Sequence, residues 1–134
     1  MDCIFCDIIQ RKKEGYFIYE DESYVAFLDK YPIDYGHSLI LPRDHYERVT
    51  DMNSDKVGEL FSKVPKIAKA IIETTKADAF SLAQNNGRAA KQIVPHVHIH
   101  VIPRFNNKGT VWTKRDIGKD EELKILAEKI RKCI

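Results

Sequence analysis

Between Pro95 and Pro103 the chain alternates histidine with branched apolar residues: His96-Val97-His98-Ile99-His100-Val101. A period of two is the signature of a β-strand. The histidines are therefore expected on one face, with Val97, Ile99 and Val101 entering a core from the other. Same-face neighbours on a strand stand about 7 Å apart, so the imidazoles form a row that a phosphate-sized group spans. A proline at each end suits strand termini, where a missing N–H costs least. Histidine has no particular strand propensity, and three in alternation are a poor way to build an inert surface. The pattern points to metal binding or phosphate handling.

The same patterning predicts the remaining elements. Residues 16–20 and 23–29 read as strands of a hairpin turned at Asp21-Glu22. Asp29 ends the second strand, as a turn former or as a carboxylate that accepts hydrogen bonds from a ribose. After a loop carrying Pro32, residues 36–42 form a third strand with His37, Leu39 and Leu41 on one side and Ser38 and Ile40 on the other; His45 follows it. Asn53 or Ser54 caps a long helix reaching about Thr75. Its stripe of Val57, Leu60, Val64, Ile67 and Ile71 packs on the sheet, and Pro65 kinks it. Residues 79–83 are a fourth strand, and the polar loop 84–92 leads into the histidine strand. The amides of that loop suit either a plain connection or hydrogen bonds to a phosphate. Beyond a basic turn at 105–109, Trp112 packs or meets a ligand or a neighbouring chain. A last helix over about 119–132 has Asp120, Glu121 and Glu122 at its start and Lys129, Arg131 and Lys132 at its end, matching the helix dipole.

Composition narrows the class. The 134 residues, 43% hydrophobic and 31% charged, describe one globular domain spanning 1–134 with no internal repeat. A net charge of +2 does not advertise a nucleic-acid surface. No apolar run reaches the roughly 18 residues of a membrane span, and residues 1–3 begin no signal peptide, so a cytoplasmic location is expected. In that setting thiols stay reduced. Cys3-Ile4-Phe5-Cys6 is then a metal-ligand pair or a dithiol, and as a zinc site it needs two further ligands. Cys133, near the end of the last helix, is expected as a small buried side chain.

With these segments in place, the chain resembles the histidine-triad (HIT) family of nucleotide hydrolases and transferases. The resemblance rests on His96 to Ile102, the CxxC opening, Phe27-Leu28-Asp29, Gly36-His37-Ser38-Leu39-Ile40-Leu41-Pro42, Asn85-Asn86-Gly87 and Gln92. It implies an α+β fold: a five-stranded antiparallel sheet with helices packed on one face, assembled as a homodimer. It further implies that His98 is a nucleophile toward the α-phosphorus of a purine nucleotide conjugate. That conjugate is a phosphoramidate, an adenylated amine or a dinucleoside polyphosphate, and a nucleoside monophosphate is released. His100 and His37 correspond to histidines that hydrogen-bond the phosphate and position the leaving group, Asp29 to a ribose-binding carboxylate, and Asn85 and Gln92 to polar contacts beside the phosphate. Members with a CxxC opening carry a structural zinc, here implied at Cys3, Cys6, His45 and His96, which ties segment 1–12 to the histidine strand.

Two positions depart from the family pattern. Lys91 stands where many relatives have glycine, and either favours a more negative substrate or, the plainer reading, points into solvent. Ile93 replaces a serine found in some members. Retention of His100, which the transferase branch replaces by glutamine, favours a hydrolase. The competing reading is a zinc-stabilised nucleotide-binding sensor or adaptor with negligible turnover; a dithiol redox protein is a third.

Overall fold

The computed structural model describes residues 2–113 and 117–134. Helix α1 (Ile4–Ile9) is followed by the hairpin strands β1 (Phe17–Glu20) and β2 (Tyr24–Leu28), then β3 (Ser38–Pro42). Helices α2 (Ser54–Ser62) and α3 (Val64–Thr75) lead to β4 (Ala79–Ala83), β5 (Ile99–Arg104) and the closing helix α4 (Asp120–Cys133). The strands form one sheet in the order β1-β2-β3-β5-β4, every adjacent pair antiparallel. The chain is thus α+β, as the sequence predicts.

Alternation along the strands sorts side chains between two apolar layers. Ile18, Ala26, Ile40, Ile99 and Val101 join Leu60, Ile67 and Ile71 of α2 and α3 and Leu126 and Ile130 of α4 in the larger core. On the opposite face Phe17, Val25, Phe27, Leu39 and Leu41 meet Cys3, Phe5 and Ile9. The expectation of helices on one face alone is therefore corrected. Helix α1 is short and apolar on the side it turns to the sheet, and it covers part of the second face; the rest of that face is open to the site.

Three further expectations change. The long helix is two helices broken at Lys63, because Pro65 has no N–H to give the carbonyl of Phe61 and its ring crowds that turn. The Phe61 carbonyl instead accepts from the N–H of Lys63, which caps α2. Asn53 caps the start of α2 as predicted, its side chain accepting from the N–H of Lys56 at 2.9 Å. The histidine strand begins only at Ile99, and His96 sits in a bend where its N–H meets the carbonyl of Val94 at 2.8 Å. Cys133 is exposed rather than buried, since it lies in the last turn of α4, past the apolar stripe that ends at Ile130. Trp112 stays largely exposed, with the Arg104 guanidinium 4.7 Å from its ring centroid.

Candidate active site and metal centre

β3 and β5 place the central histidines. In their register Leu39 lies opposite His100, so His37, two residues before Leu39 on the same face, is a diagonal neighbour of His100. Nε2 of His37 and Nδ1 of His100 are 2.9 Å apart, and the backbone N–H of Ile33 donates to Nδ1 of His37 at 2.9 Å. These contacts determine the protons. Nδ1 of His37 is an acceptor, so its proton is on Nε2 and is donated to Nδ1 of His100; the proton of His100 is then on its own Nε2. Asp29 sits beside this chain, its Oδ2 3.6 Å from Nε2 of His37 and its Oδ1 accepting from the N–H of Tyr31 at 2.8 Å.

His98 is set by a different contact. Its Nδ1 lies 2.6 Å from the carbonyl oxygen of His96. A carbonyl only accepts, so Nδ1 carries the proton and Nε2 is the basic nitrogen of the ring. The ring stands 4.8 Å from that of His100 and is met edge-to-face by Phe5 of α1 at 5.0 Å. His98 is buried, with 5% of its surface exposed. The expected row of three imidazoles is thus a pair: His98 and His100 line one cleft, whereas His96 turns away from it.

His96 turns toward the cysteines. Its Nδ1 is 3.5 Å from Sγ of Cys3 and 3.6 Å from Sγ of Cys6, while Nδ1 of His45 is 3.5 Å from Sγ of Cys6. A tetrahedral zinc with Zn–S of about 2.3 Å and Zn–N of about 2.0–2.1 Å has S···N edges of about 3.6 Å. The four ligand atoms all lie within 4.8 Å of one another. Nε2 of His96 meets the carbonyl of Pro42 at 2.8 Å, which holds the proton there and leaves Nδ1 as the donor atom toward a metal. Burial, opposed by that carbonyl, lowers the His96 pKa to about 4, so the ring is neutral at pH 7. Burial and the neighbouring Cys3 sulfur push the Cys6 thiol up to about 11; it keeps its proton until a cation displaces it. Donor types, spacing and tautomer all fit a zinc ion. Asp29, His37 and His100 also approach one another closely. There, however, the Ile33 N–H keeps a proton on Nε2 of His37, where a metal would need a lone pair.

The cleft, about 440 Å³, lies between α1, the end of β2 and the histidines. Ile4, Phe5, Ile8, Phe27, Leu39 and Val94 form its apolar wall, and Asp29, His98 and His100 its polar one. Lys91 and Ile93, both exposed, also line it. Asn85 and Gln92 are not among the residues that line it. The Gln92 side chain accepts from the N–H of Gly87 at 2.6 Å and donates to the carbonyl of Glu47 at 2.6 Å, while Asn86 accepts from the N–H of Val49 at 2.8 Å. The loop amides hold the loop to its surroundings. Sequence reasoning missed Phe5 and the N–H of Ile33; the first was visible inside the CxxC spacing, the second had no side-chain signal.

The HIT domain family matches residues 10–107. The chain belongs to the HIT family. Among its relatives, this HIT protein is 39% identical to the adenylylsulfatase HINT3 of Arabidopsis thaliana over 88% of its own length and 59% of that protein's. It is 35% identical to the adenosine 5'-monophosphoramidase hnt1 of Schizosaccharomyces pombe over 97% and 96% of the two chains. A crystal structure of a Zn-bound histidine triad family protein from Mycobacterium smegmatis superposes with a TM-score of 0.87 at 33% identity, covering 99% of this chain and 93% of that one. Among the described residues of this HIT protein no helix is long and apolar enough to cross a membrane.

Proposed function

We propose that this HIT protein hydrolyses purine nucleotide conjugates at the α-phosphorus through a covalent nucleotidyl-His98 intermediate. One observation carries the reading: the 2.6 Å contact from Nδ1 of His98 to the His96 carbonyl, which makes Nε2 the nucleophilic nitrogen of a neutral imidazole. The named activities of two relatives, an adenylylsulfatase and an adenosine 5'-monophosphoramidase, support cleavage at a nucleotide phosphorus.

In this mechanism the base lies on the apolar wall around Phe5 and Phe27, and the ribose hydroxyls donate to Asp29. The Nε2–H of His100 is directed at the phosphate, with its proton held in place by His37 and, behind it, Ile33. Nε2 of His98 attacks phosphorus and forms a P–N bond as the bond to the leaving group breaks. An amine takes a proton from His100 as it departs. Water then attacks the phosphorus and gives its proton back to His100, the P–N bond breaks, and the monophosphate leaves with His98 and His100 regenerated. Donors already aimed at the developing charge cost no reorganisation. The family resemblance implies Asn85 and Gln92 as phosphate-side contacts; the Gln92 side chain, bonded to Gly87 and Glu47, acts through the shape of its loop.

Cys3, Cys6, His45 and His96 would hold zinc as a closed four-ligand site with a structural role. We further propose a homodimer. β4 is an edge strand with Phe80 and Leu82 40% and 44% exposed, an edge that a second copy of the chain would cover.

The test compares wild type with His98→Asn on an adenosine phosphoramidate and a diadenosine polyphosphate. Wild type is expected to release AMP, and the variant to bind AMP without releasing it from either substrate. A wild type that binds AMP and turns over neither substrate would leave a nucleotide-binding sensor as the function.

A further inference from the structure

We propose that Lys91 is a specificity-determining residue that selects conjugates whose leaving group is an oxyanion, phosphate or sulfate, over those that release an amine. The inference rests on the hydrolase reading above and adds its substrate class. Three observations carry it. Lys91 lines the cleft together with His98 and His100. It forms no ion pair with any described residue, so its ammonium is available to a ligand. It also occupies a left-handed backbone conformation, φ 65° and ψ 33°, in which glycine meets no steric cost. Arg11, Lys76 and Asn107 also have positive φ; Lys91 has it at the end of the 3-10 turn Arg88–Ala90, on the cleft wall.

The turn that presents Lys91 is anchored. Its N–H closes the short 3-10 turn Arg88–Ala90 on the Arg88 carbonyl at 2.8 Å. The next residue, Gln92, fastens the loop to Gly87 and Glu47. Of the residues 91–93, Lys91 and Ile93 reach the cleft and Gln92 reaches the loop. A cation held on a fixed turn pays less to order itself around an anion than one on a mobile loop.

The chemistry of departure supplies the rest. An amine leaves neutral once it takes a proton, and His100 has one to give. Phosphate or sulfate needs no such proton but carries away the electron pair of the broken P–O bond as negative charge. In the tautomers of His37, His98 and His100 the protons of the first two are taken up by His100 and by the His96 carbonyl, so only the Nε2–H of His100 is left as a donor to that charge. Three lysines line the cleft, Lys13, Lys30 and Lys91; Lys91 stands on the turn that leads into the histidine segment, and it is the cation assigned to offset that charge. The reaction balances as before: a P–N bond to His98 forms, the P–O bond to the oxyanion breaks, and water later cleaves the P–N bond.

The experiment uses the full chain as wild type, Lys91→Gly and Lys91→Arg. AMP release is measured from adenylyl sulfate and from adenosine phosphoramidate, at low and high ionic strength. In parallel, calorimetry measures binding of AMP and of α,β-methylene ADP, which adds the β-phosphate without a cleavable P–O–P bond. Lys91→Gly is expected to lose about tenfold in kcat/KM on adenylyl sulfate and less than about twofold on the phosphoramidate. Lys91→Arg should restore most of the difference, and salt should shrink the wild-type preference. The affinity ratio of α,β-methylene ADP to AMP should fall in Lys91→Gly by a similar factor. Because glycine suits this backbone, the variant should melt no lower than wild type. Equal changes on both substrates, or an unchanged binding ratio, overturn the assignment. If wild type releases no AMP from either substrate, the hydrolase reading fails, while the binding ratio still decides whether Lys91 recognises the second anion.

Discussion

The carbonyl oxygen of His96 accepts the Nδ1 proton of His98 at 2.6 Å. A residue whose ring faces Cys3 and Cys6 therefore also sets, through its backbone, the tautomer of the residue proposed to attack phosphorus. Phe5 reinforces the link. It lies between the two cysteines in sequence and rests edge-on against both imidazoles, 6.1 Å from the ring of His96 and 5.0 Å from that of His98.

Metal removal should consequently reach the cleft. Stripping the purified protein with a chelator is expected to lower Tm by on the order of 10 °C and to reduce AMP release, with both restored by added Zn²⁺. Cys6→Ser should reproduce the stripped state. Metal content, melting curves and turnover measured on one preparation decide it; a chelated protein with an unchanged melt would remove zinc from the account.

Breaking the histidine chain at its inner end should affect turnover more than binding. His37→Ala removes the donor to Nδ1 of His100, the contact that assigns the His100 proton to Nε2. A fall of about 10²-fold in kcat is expected, with AMP affinity changed by less than about threefold. Steady-state kinetics on the phosphoramidate beside AMP calorimetry separates the two effects. An unaffected kcat would show that His100 does not depend on this partner.

Gly36 positions His37 and leaves no room for a side chain. Its φ is +88°, and an added Cβ would come 2.6 Å from Cγ2 of Thr75 and 3.3 Å from Cγ of Pro103. Gly36→Ala is expected to cost about 2–4 kcal/mol from the left-handed backbone and the overlap together. Because the strain falls next to His37, turnover should drop in the part of the population that stays folded. Urea unfolding and specific activity per folded molecule test the two claims separately.

Asp21 gives the fold its expected acid dependence. Burial raises the pKa of its carboxyl, but the Tyr19 hydroxyl, the N–H groups of Ser23 and Tyr24 and the Lys63 ammonium outweigh burial and bring it to about 2, below its ordinary 3.8. A carboxylate depressed on folding stabilises above its unfolded pKa and loses that contribution as pH falls through the folded value. The contribution should be complete above about pH 5 and fade between about pH 4 and 2. Asp21→Asn is expected to cost about 1–2 kcal/mol at pH 7, discounted for partial exposure, and close to nothing at pH 2. Urea midpoints for both proteins at pH 7, 4 and 2 measure the convergence.

What the sequence determined by itself was local. Period-two alternation assigned Val97, Ile99 and Val101 to one layer and His98 and His100 to the other. It also put His37 on the same side as Leu39, and the helical stripes marked which residues of α2, α3 and α4 would be buried, because pleat and helix period are properties of a few consecutive residues. The four zinc-type donors could be named through family resemblance, yet not one contact among them is local in the chain apart from Cys3 with Cys6. Tertiary structure brought His45 and His96 to cysteines 39 and 93 residues away, bent the chain so that His96 left the row, and laid α1 over the second face. It also decided the protons. The tautomers of His37, His98 and His100 depend on single backbone groups, the N–H of Ile33 and the carbonyl of His96. Backbone groups are the same in every residue, so no side-chain pattern announces which of them will be aimed at a ring. For the same reason the turn of Lys91 into the cleft and of Gln92 into its loop could be read only once the chain had closed around them.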